Sequence, residues 1–148
     1  MASSSSSSSF FSSAIMILLF TTALATFGSA NYILDSGKFL NPGESLQNNV
    51  FALVMQNDCN LVLLDPASNS IIWESGTAAE GWDCTLQMQY DGNLVIYRDF
   101  NAAAIWATNT KQANEDIYHL VLQSDRNLVI YDHNNNKALW ASGTSLAK

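Results

Sequence analysis

Three segments of the chain alternate apolar and polar residues with a period of two, which predicts strands with one buried face. The apolar positions of each segment precede a glutamine, and they are Phe51, Leu53 and Met55, then Cys84, Leu86 and Met88, then Tyr118, Leu120 and Leu122. A second apolar stretch follows each segment after a few turn-forming residues, and β-branched side chains are common in it. The pattern therefore predicts three β-hairpins and no long helix.

The three hairpins are copies of one motif. Residues 56–64, 89–97 and 123–131 align without gaps, and their first residues lie 33 and 34 positions apart. A tryptophan stands 17 positions after each start and opens a similar tail, as the segments 73–77, 106–110 and 140–144 show. One such unit cannot bury its own apolar face. We therefore predict three units around an axis, with Trp73, Trp106 and Trp140 at its centre.

Each unit is expected to hold four strands, three from the motif and its tail and a fourth from the segment before the hairpin. Residues 33–37 resemble the tryptophan tails and are expected to form a strand that completes the ring of repeats. Trp82 lies outside the repeat, and the pattern assigns it no place.

Composition narrows the class of protein. The chain has 148 residues and a formal net charge of -7, which argues against a nucleic-acid surface. Charged residues make up 13% of the chain, against about 25% in typical soluble domains, so disordered and coiled-coil classes are excluded. The profile is that of one strand-rich domain with a neutral polar surface.

The first thirty residues predict a cleaved signal peptide. Residues 1–30 carry no charged side chain, and an apolar run at 14–20 is followed by small residues up to Ala30. The alternative is a retained membrane anchor, but the strongly apolar run is shorter than the roughly 20 residues that span a bilayer. The mature domain, residues 31–148, is then expected in the secretory pathway and finally outside the cell or in the vacuole. In that oxidising compartment Cys59 and Cys84 are expected to pair rather than remain buried free thiols.

The polar residues of the motif are candidates for ligand binding. Gln, Asp, Asn, Val and Tyr occupy alternate positions, and a chain reversal at the Asp would make Gln and Tyr neighbours. Two amides, a carboxylate and a phenol around an aliphatic floor suit a neutral, hydroxyl-rich ligand. The alternative is that Asp and Asn only form the turn, while Gln and Tyr satisfy groups at the strand edge. The recurrence of Gln and Tyr in register favours the ligand.

The motif resembles that of the bulb-type, snowdrop-lectin-like mannose-binding lectins of monocots, over nearly all of residues 31–144. The resemblance implies an all-β, β-prism II fold with three four-stranded antiparallel subdomains and pseudo-threefold symmetry. It implies one shallow mannose site per subdomain, with no metal or cofactor. Asp and Asn would bind the 2-hydroxyl, Gln O3 and Tyr O4, with Val under the ring.

The resemblance implies two complete mannose sites and one degenerate site. The complete sites are Gln89, Asp91, Asn93, Val95 and Tyr97, and Gln123, Asp125, Asn127, Val129 and Tyr131. The first motif has Gln56, Asp58, Asn60 and Val62, but Leu64 replaces the tyrosine. We therefore expect the first site to bind mannose more weakly or not at all.

The same residues argue against an enzyme. Glycoside hydrolysis needs two carboxylates about 5 to 9.5 Å apart, whereas each motif supplies one Asp. His119 and His133 do not recur in the other repeats and are expected to be surface or strand residues rather than a catalytic or metal pair. A closer rival is a relative on the same scaffold that has lost binding and serves in storage, taste modification or antifungal defence.

The expected partners are mannose-containing glycans and glycoproteins, with no nucleic acid and no membrane insertion. Weak shallow sites need several copies to act on one glycan surface. The resemblance implies a homodimer or homotetramer, often formed by exchange of C-terminal strands, which would here be residues 138–144. Plant defence is the expected role.

Overall fold

The protein is described by a computed structural model over residues 31–146, so the signal peptide expected in residues 1–30 lies outside the described residues. The regular secondary structure of this part consists of strands joined by turns, as the alternating pattern predicts. The strands are β1 (Ile33–Asp35), β2 (Phe39–Leu40), β3 (Ser45–Gln47), β4 (Ala52–Met55), β5 (Leu61–Asp65), β6 (Ser70–Glu74), β7 (Thr85–Met88), β8 (Leu94–Arg98), β9 (Ala103–Ala107), β10 (Tyr118–Leu122), β11 (Leu128–Asp132) and β12 (Ala138–Ala141). Within residues 31–146, no helix has the length and apolar character needed to cross a membrane.

The strands form three antiparallel sheets of four strands each. The first motif lies in the sheet β3-β4-β5-β6, the second in β2-β7-β8-β9 and the third in β1-β10-β11-β12. In every sheet the hairpin of the motif provides the two central strands, and the tryptophan tail provides one edge. The predicted all-β fold of three four-stranded subdomains is confirmed.

The origin of the fourth strand differs from the prediction in two of the three sheets. Only β3 comes from the segment directly before its hairpin. The other two sheets take their fourth strand from the N-terminal segment, which supplies β1 and β2 in succession. The strand predicted within residues 33–37 is therefore confirmed, and it does complete the ring. The prediction was wrong for the second and third units because residues 33–40 already fill those two sheet edges.

The alternating residues of the hairpins form one continuous core. All nine positions picked out by the period of two are buried in it. Trp73, Trp106 and Trp140 pack against this core and meet edge to face, with ring centroids 5.8, 6.0 and 6.2 Å apart. The central tryptophan cluster is confirmed. Trp82 lies elsewhere, exposed on the surface against the ring of Phe100.

The predicted disulfide is present between Cys59 and Cys84, whose Cα atoms are 5.2 Å apart. Cys59 lies in the turn of the first motif, and Cys84 directly precedes β7. The bond therefore joins the first sheet to the second beside a candidate site.

Candidate functional site

The chain reverses direction in each motif, as the candidate site requires. In the second motif the Gly92 N–H donates to the Gln89 carbonyl at 3.1 Å, and the Gln89 N–H donates to the Asn93 carbonyl at 3.0 Å. The residue before the asparagine has a positive φ in every motif, 75° at Cys59, 82° at Gly92 and 64° at Arg126. Glycine adopts this left-handed conformation most easily. The shared turn gives the three motifs the same local geometry.

The turn brings the glutamine and the tyrosine of a motif into contact. Gln89 Nε2 donates to Tyr97 Oη at 2.8 Å, and Gln123 Nε2 donates to Tyr131 Oη at 2.9 Å. The register of the sheet shifts at the tyrosine in both cases, and such an irregularity can redirect a side chain. The valine between each pair forms a buried floor, at Val95 and Val129. The expected contact between Gln and Tyr is confirmed, while the role in binding mannose stays a prediction.

The motif aspartate serves the turn with only one of its oxygens. Asp91 Oδ1 accepts the N–H of Asn93 at 3.0 Å, and Asp125 Oδ1 accepts the N–H of Asn127 at the same distance. Asp91 Oδ2 lies 3.6 Å from Nζ of Lys111, whose side chain is largely exposed. The turn interpretation therefore accounts for one carboxylate oxygen, and the second remains available to accept a hydrogen bond.

In the motif asparagine, too, one polar atom serves the fold and the other is left for a ligand. Asn93 Oδ1 accepts hydrogen bonds from Thr108 Oγ1 and from the N–H of Thr110, both at 3.2 Å. Its Nδ2 has no protein partner among the described residues and can donate to a ligand. The third motif repeats these contacts with Asn127, Ser142 and Thr144. This explains why a Ser or Thr recurs after each tryptophan, and that recurrence is the signal in the sequence for the contact between tail and motif.

The first motif differs because another side chain of the protein already binds the amide group of its asparagine. Asn60 Nδ2 donates to Glu74 Oε2 at 2.8 Å. Glu74 lies opposite Val62 on the neighbouring strand, where the second and third sheets have Ala107 and Ala141. A carboxylate thus takes the amide that is free in the other motifs. The sequence prediction had relied on Leu64 alone and missed this residue.

The rest of the first site is apolar. Leu64 is buried with Ala52, Val54 and Val62 in a small cluster separate from the main core. Gln56 is also buried, and Leu64 offers it no phenol to bind. In the second sheet, the positions that correspond to Ala52 and Val54 are occupied by the polar residues Thr85 and Gln87. These contacts support the expectation of a weak or inactive first site.

The two histidines lie together beside the third motif. His119 Nδ1 is 2.6 Å from Asp35 Oδ1, and His119 Nε2 is 2.8 Å from His133 Nδ1. The expected strand and surface positions are confirmed, since His119 lies in β10 and His133 is exposed. Sequence patterns could not reveal the contact with Asp35, which is 84 positions away from His119. Among residues 31–146, no group of three or more His, Cys, Asp or Glu side chains is arranged to hold a metal ion.

The fold is shared with solved lectin structures. A monomeric monocot mannose-binding lectin from Gastrodia elata is 49% identical, with a TM-score of 0.73, and the match covers 78% of this chain and 100% of that one. The mannose-specific agglutinin of snowdrop, Galanthus nivalis, solved with methyl-α-D-mannoside, is 43% identical, with a TM-score of 0.66. That match covers 79% of this chain and all of the snowdrop chain.

Sequence comparison finds related proteins over a shorter segment. A mannose-specific lectin from Narcissus pseudonarcissus is 48% identical over 69 residues, which are 47% of this chain and 62% of the relative. Curculin-2 from Molineria latifolia is 42% identical over 79 residues, which are 53% of this chain and 49% of the relative. The chain thus spans about half to two thirds of the length of these curated relatives. No model of a known protein family matches it.

The structural matches cover whole lectin chains at more than 40% identity, and they include all three sheets. The whole described domain therefore shares the fold of those lectin chains. The chain belongs to the monocot mannose-binding lectin family, which has the β-prism fold.

Proposed function

We propose that the protein is a non-catalytic lectin that binds mannose at its second and third motifs. The observation that carries this proposal is the hydrogen bond from Gln89 to Tyr97, together with its counterpart from Gln123 to Tyr131. Each bond holds an amide and a phenol beside a buried valine. Next to them lie a carboxylate oxygen that the turn does not use and an asparagine amide group with no protein partner among residues 31–146. Relatives described as mannose-binding or mannose-specific support the assignment.

The free groups of each site suit a sugar in chemical terms. The aspartate Oδ2 accepts from a hydroxyl, the asparagine Nδ2 donates to one, and the tyrosine hydroxyl can do either. The valine offers apolar area to the C–H face of a pyranose ring. Each motif holds a single aspartate, so it lacks the pair of carboxylates that glycoside hydrolysis uses. We therefore infer binding without bond cleavage.

Binding to glycans and glycoproteins would depend on several sites acting together. One sugar in a shallow groove buries little area and binds weakly, whereas linked sites raise the overall affinity. We propose a homodimer or homotetramer, in which residues 138–144 could exchange between subunits. In the single chain β12 is an edge strand that pairs with β11, which makes it accessible for such an exchange.

We also propose that the protein enters the secretory pathway and ends outside the cell or in the vacuole, in a defensive role. The uncharged, apolar leader sequence supports export. The disulfide between Cys59 and Cys84 fits an oxidising compartment.

Retention on mannose-agarose tests the proposed binding. The protein should be retained and should elute with free mannose. A double variant, Gln89→Ala with Gln123→Ala, should pass through the column, because both complete sites lose an amide. Gln56→Ala in the first motif is the matched control and should still be retained. If the unmodified protein passes through the column, the proposed function is wrong.

A second candidate is a relative that has lost mannose binding and serves in storage, taste modification or antifungal defence. The similarity to Curculin-2 and the occupied first site favour it. The same column separates the two candidates, since a binding-incompetent protein would not be retained at any density of immobilised mannose.

A further inference from the structure

Asp35, His119 and His133 form a hydrogen-bonded row on the outer face of the third sheet, which we call the histidine row. His119 Nδ1 lies 2.6 Å from Asp35 Oδ1, and His119 Nε2 lies 2.8 Å from His133 Nδ1. The centroids of the two rings are 5.0 Å apart, so these two nitrogens face each other nearly head on. A proton fits between them, whereas a metal ion with bonds of about 2 Å to each nitrogen would need a wider separation along that line.

We propose that His119 and His133 are positioning residues of the third mannose site and that they make its affinity fall in acid. The proposal rests on the proposed function and adds regulation to one of its two complete sites. The second site, which has no histidine beside it, keeps its affinity over the same range of pH.

The histidine row can take up one proton without losing a bond, but not two. With both rings neutral, His119 donates from Nδ1 to Asp35 and accepts at Nε2 from His133 Nδ1. One added proton leaves both bonds in place, because whichever ring stays neutral can present a lone pair to the other. A second proton sets two N–H donors and two positive charges against each other, which breaks the bond between the rings. Histidine changes its charge between about pH 8 and 5, so mild acid drives this step.

The charges around the histidine row can balance only one charged ring. Asp35 in β1 is the one carboxylate that pairs with a histidine among residues 31–146. Asp132 in the loop after β11 and Asp116 before β10 accept hydrogen bonds from the asparagines of that loop. Lys137 at the end of the loop is exposed and adds a positive charge. A second imidazolium is therefore left without a partner.

The histidine row lies next to the tyrosine of the third site. His119 is directly opposite Tyr131 in the pairing of β10 with β11, and such residues have Cβ atoms about 4.5–5.5 Å apart. His133 follows Tyr131 by two positions, so its bond to His119 holds the chain after the tyrosine against β10. Tyr131 Oη in turn accepts from Gln123 Nε2 at 2.9 Å. Breaking the bond between the rings removes one support of this phenol.

The second sheet holds the corresponding loop through neutral groups. Thr85 stands opposite Tyr97, where the third sheet has His119. Thr85 Oγ1 and Gln87 Nε2 both donate to Asn101 Oδ1, at 3.0 and 2.7 Å. Hydroxyl and amide groups of this kind do not titrate between about pH 5 and 8. The second site is therefore an internal control for the third.

The experiment is an NMR titration with methyl α-mannoside at about pH 7.5 and about pH 5. The backbone amides of Asn93 and Asn127 report the second and third sites separately. In the acidic sample the affinity at Asn127 should fall roughly two- to tenfold relative to that at Asn93, as expected when about one supporting hydrogen bond is lost. The ratio of the two affinities cancels any effect of pH that both motifs share.

Substitutions in the histidine row then test its role. His119→Thr copies the residue that the second sheet has at this position, and His133→Asn introduces a residue already common in the loop. Each variant should show the same ratio of affinities at both values of pH. Lys137→Gln is the matched control, because it changes the charge of the same loop without altering the histidine row, and it should retain the fall in acid.

The outcomes separate this proposal from the proposed function. A ratio that does not change between the two values of pH, or a fall in acid that persists in both histidine variants, would overturn the role of the histidines while leaving mannose binding intact. A protein in which neither amide responds to the sugar at about pH 7.5 would overturn both proposals.

Discussion

Asn60 Nδ2 donates to Glu74 Oε2 at 2.8 Å. The asparagine amide of the first motif is thus bound within the protein, whereas the second and third motifs leave it free. The residues opposite the motif valine in the other sheets are alanines, which cannot reach so far. A single substitution in the tryptophan tail, together with Leu64, therefore distinguishes the first site from the other two.

Removing both obstacles should create a third mannose site. Leu64→Tyr alone should give a partial gain, because it supplies the phenol that Gln56 lacks. Adding Glu74→Ala should increase the gain, because Asn60 Nδ2 becomes free to donate. Titration with methyl α-mannoside, read at the backbone amide of Asn60, measures the effect.

The control for this gain is Leu64→Phe with Glu74→Ala, which has the same bulk without the hydroxyl and should bind more weakly than the tyrosine variant. If neither tyrosine variant binds more sugar at the first site than the unmodified protein does, the account of its degeneracy is wrong.

The phenol of a complete site should contribute modestly to affinity and only at its own site. Tyr97→Phe should weaken mannose binding at the second site by roughly two- to tenfold, since one hydrogen bond contributes about 0.5–1.5 kcal/mol. Tyr131→Phe should do the same at the third site. NMR titration resolves the two sites, and a loss that spreads to the unaltered site would contradict this independence.

The disulfide should stabilise the fold by restricting the unfolded chain. The loop between Cys59 and Cys84 has a sequence separation of 25, which predicts a loss of about 3 kcal/mol in the free energy of unfolding when the bond is removed. Urea unfolding of Cys59→Ala with Cys84→Ala measures this loss. The unmodified protein in reductant should lose a similar free energy of unfolding. An unchanged urea midpoint in both cases would show that the disulfide does not stabilise the fold.

The central tryptophans should matter more to stability than the exposed one. Trp73 packs edge to face against both of its counterparts, so Trp73→Ala should lower the free energy of unfolding by about 3 kcal/mol. Trp82→Ala is the control, because its side chain is 56% exposed and contacts the exposed ring of Phe100. Equal losses for the two variants in urea unfolding would argue against a tryptophan centre.

Local patterns in the sequence predicted the features that repeat. The period of two placed residues such as Leu53 and Leu86 in the core, and the shared offset of the tryptophans predicted their meeting at the axis. The contact between Gln89 and Tyr97 followed from a turn at the aspartate. Each of these depends on residues within one unit or on symmetry between units, and a single sequence contains both kinds of information.

Features that depend on distant pairing were not predictable in the same way. Strand β2 consists of Phe39–Leu40 alone, too short for a period to be seen, and its partner β7 lies more than 40 residues later. The contact of Glu74 with Asn60 depends on the register between strands, which shifts beside Leu64. A carboxylate in a strand otherwise appears as an ordinary exposed residue, so its effect on the first site emerges only from the coordinates.

A crystal structure of the protein soaked with methyl α-mannoside tests the central claim most directly. The account predicts one sugar over Val95 and one over Val129, each bonded to its aspartate, asparagine and tyrosine, and none over Val62. A sugar bound over Val62 and absent from the other two grooves would contradict it.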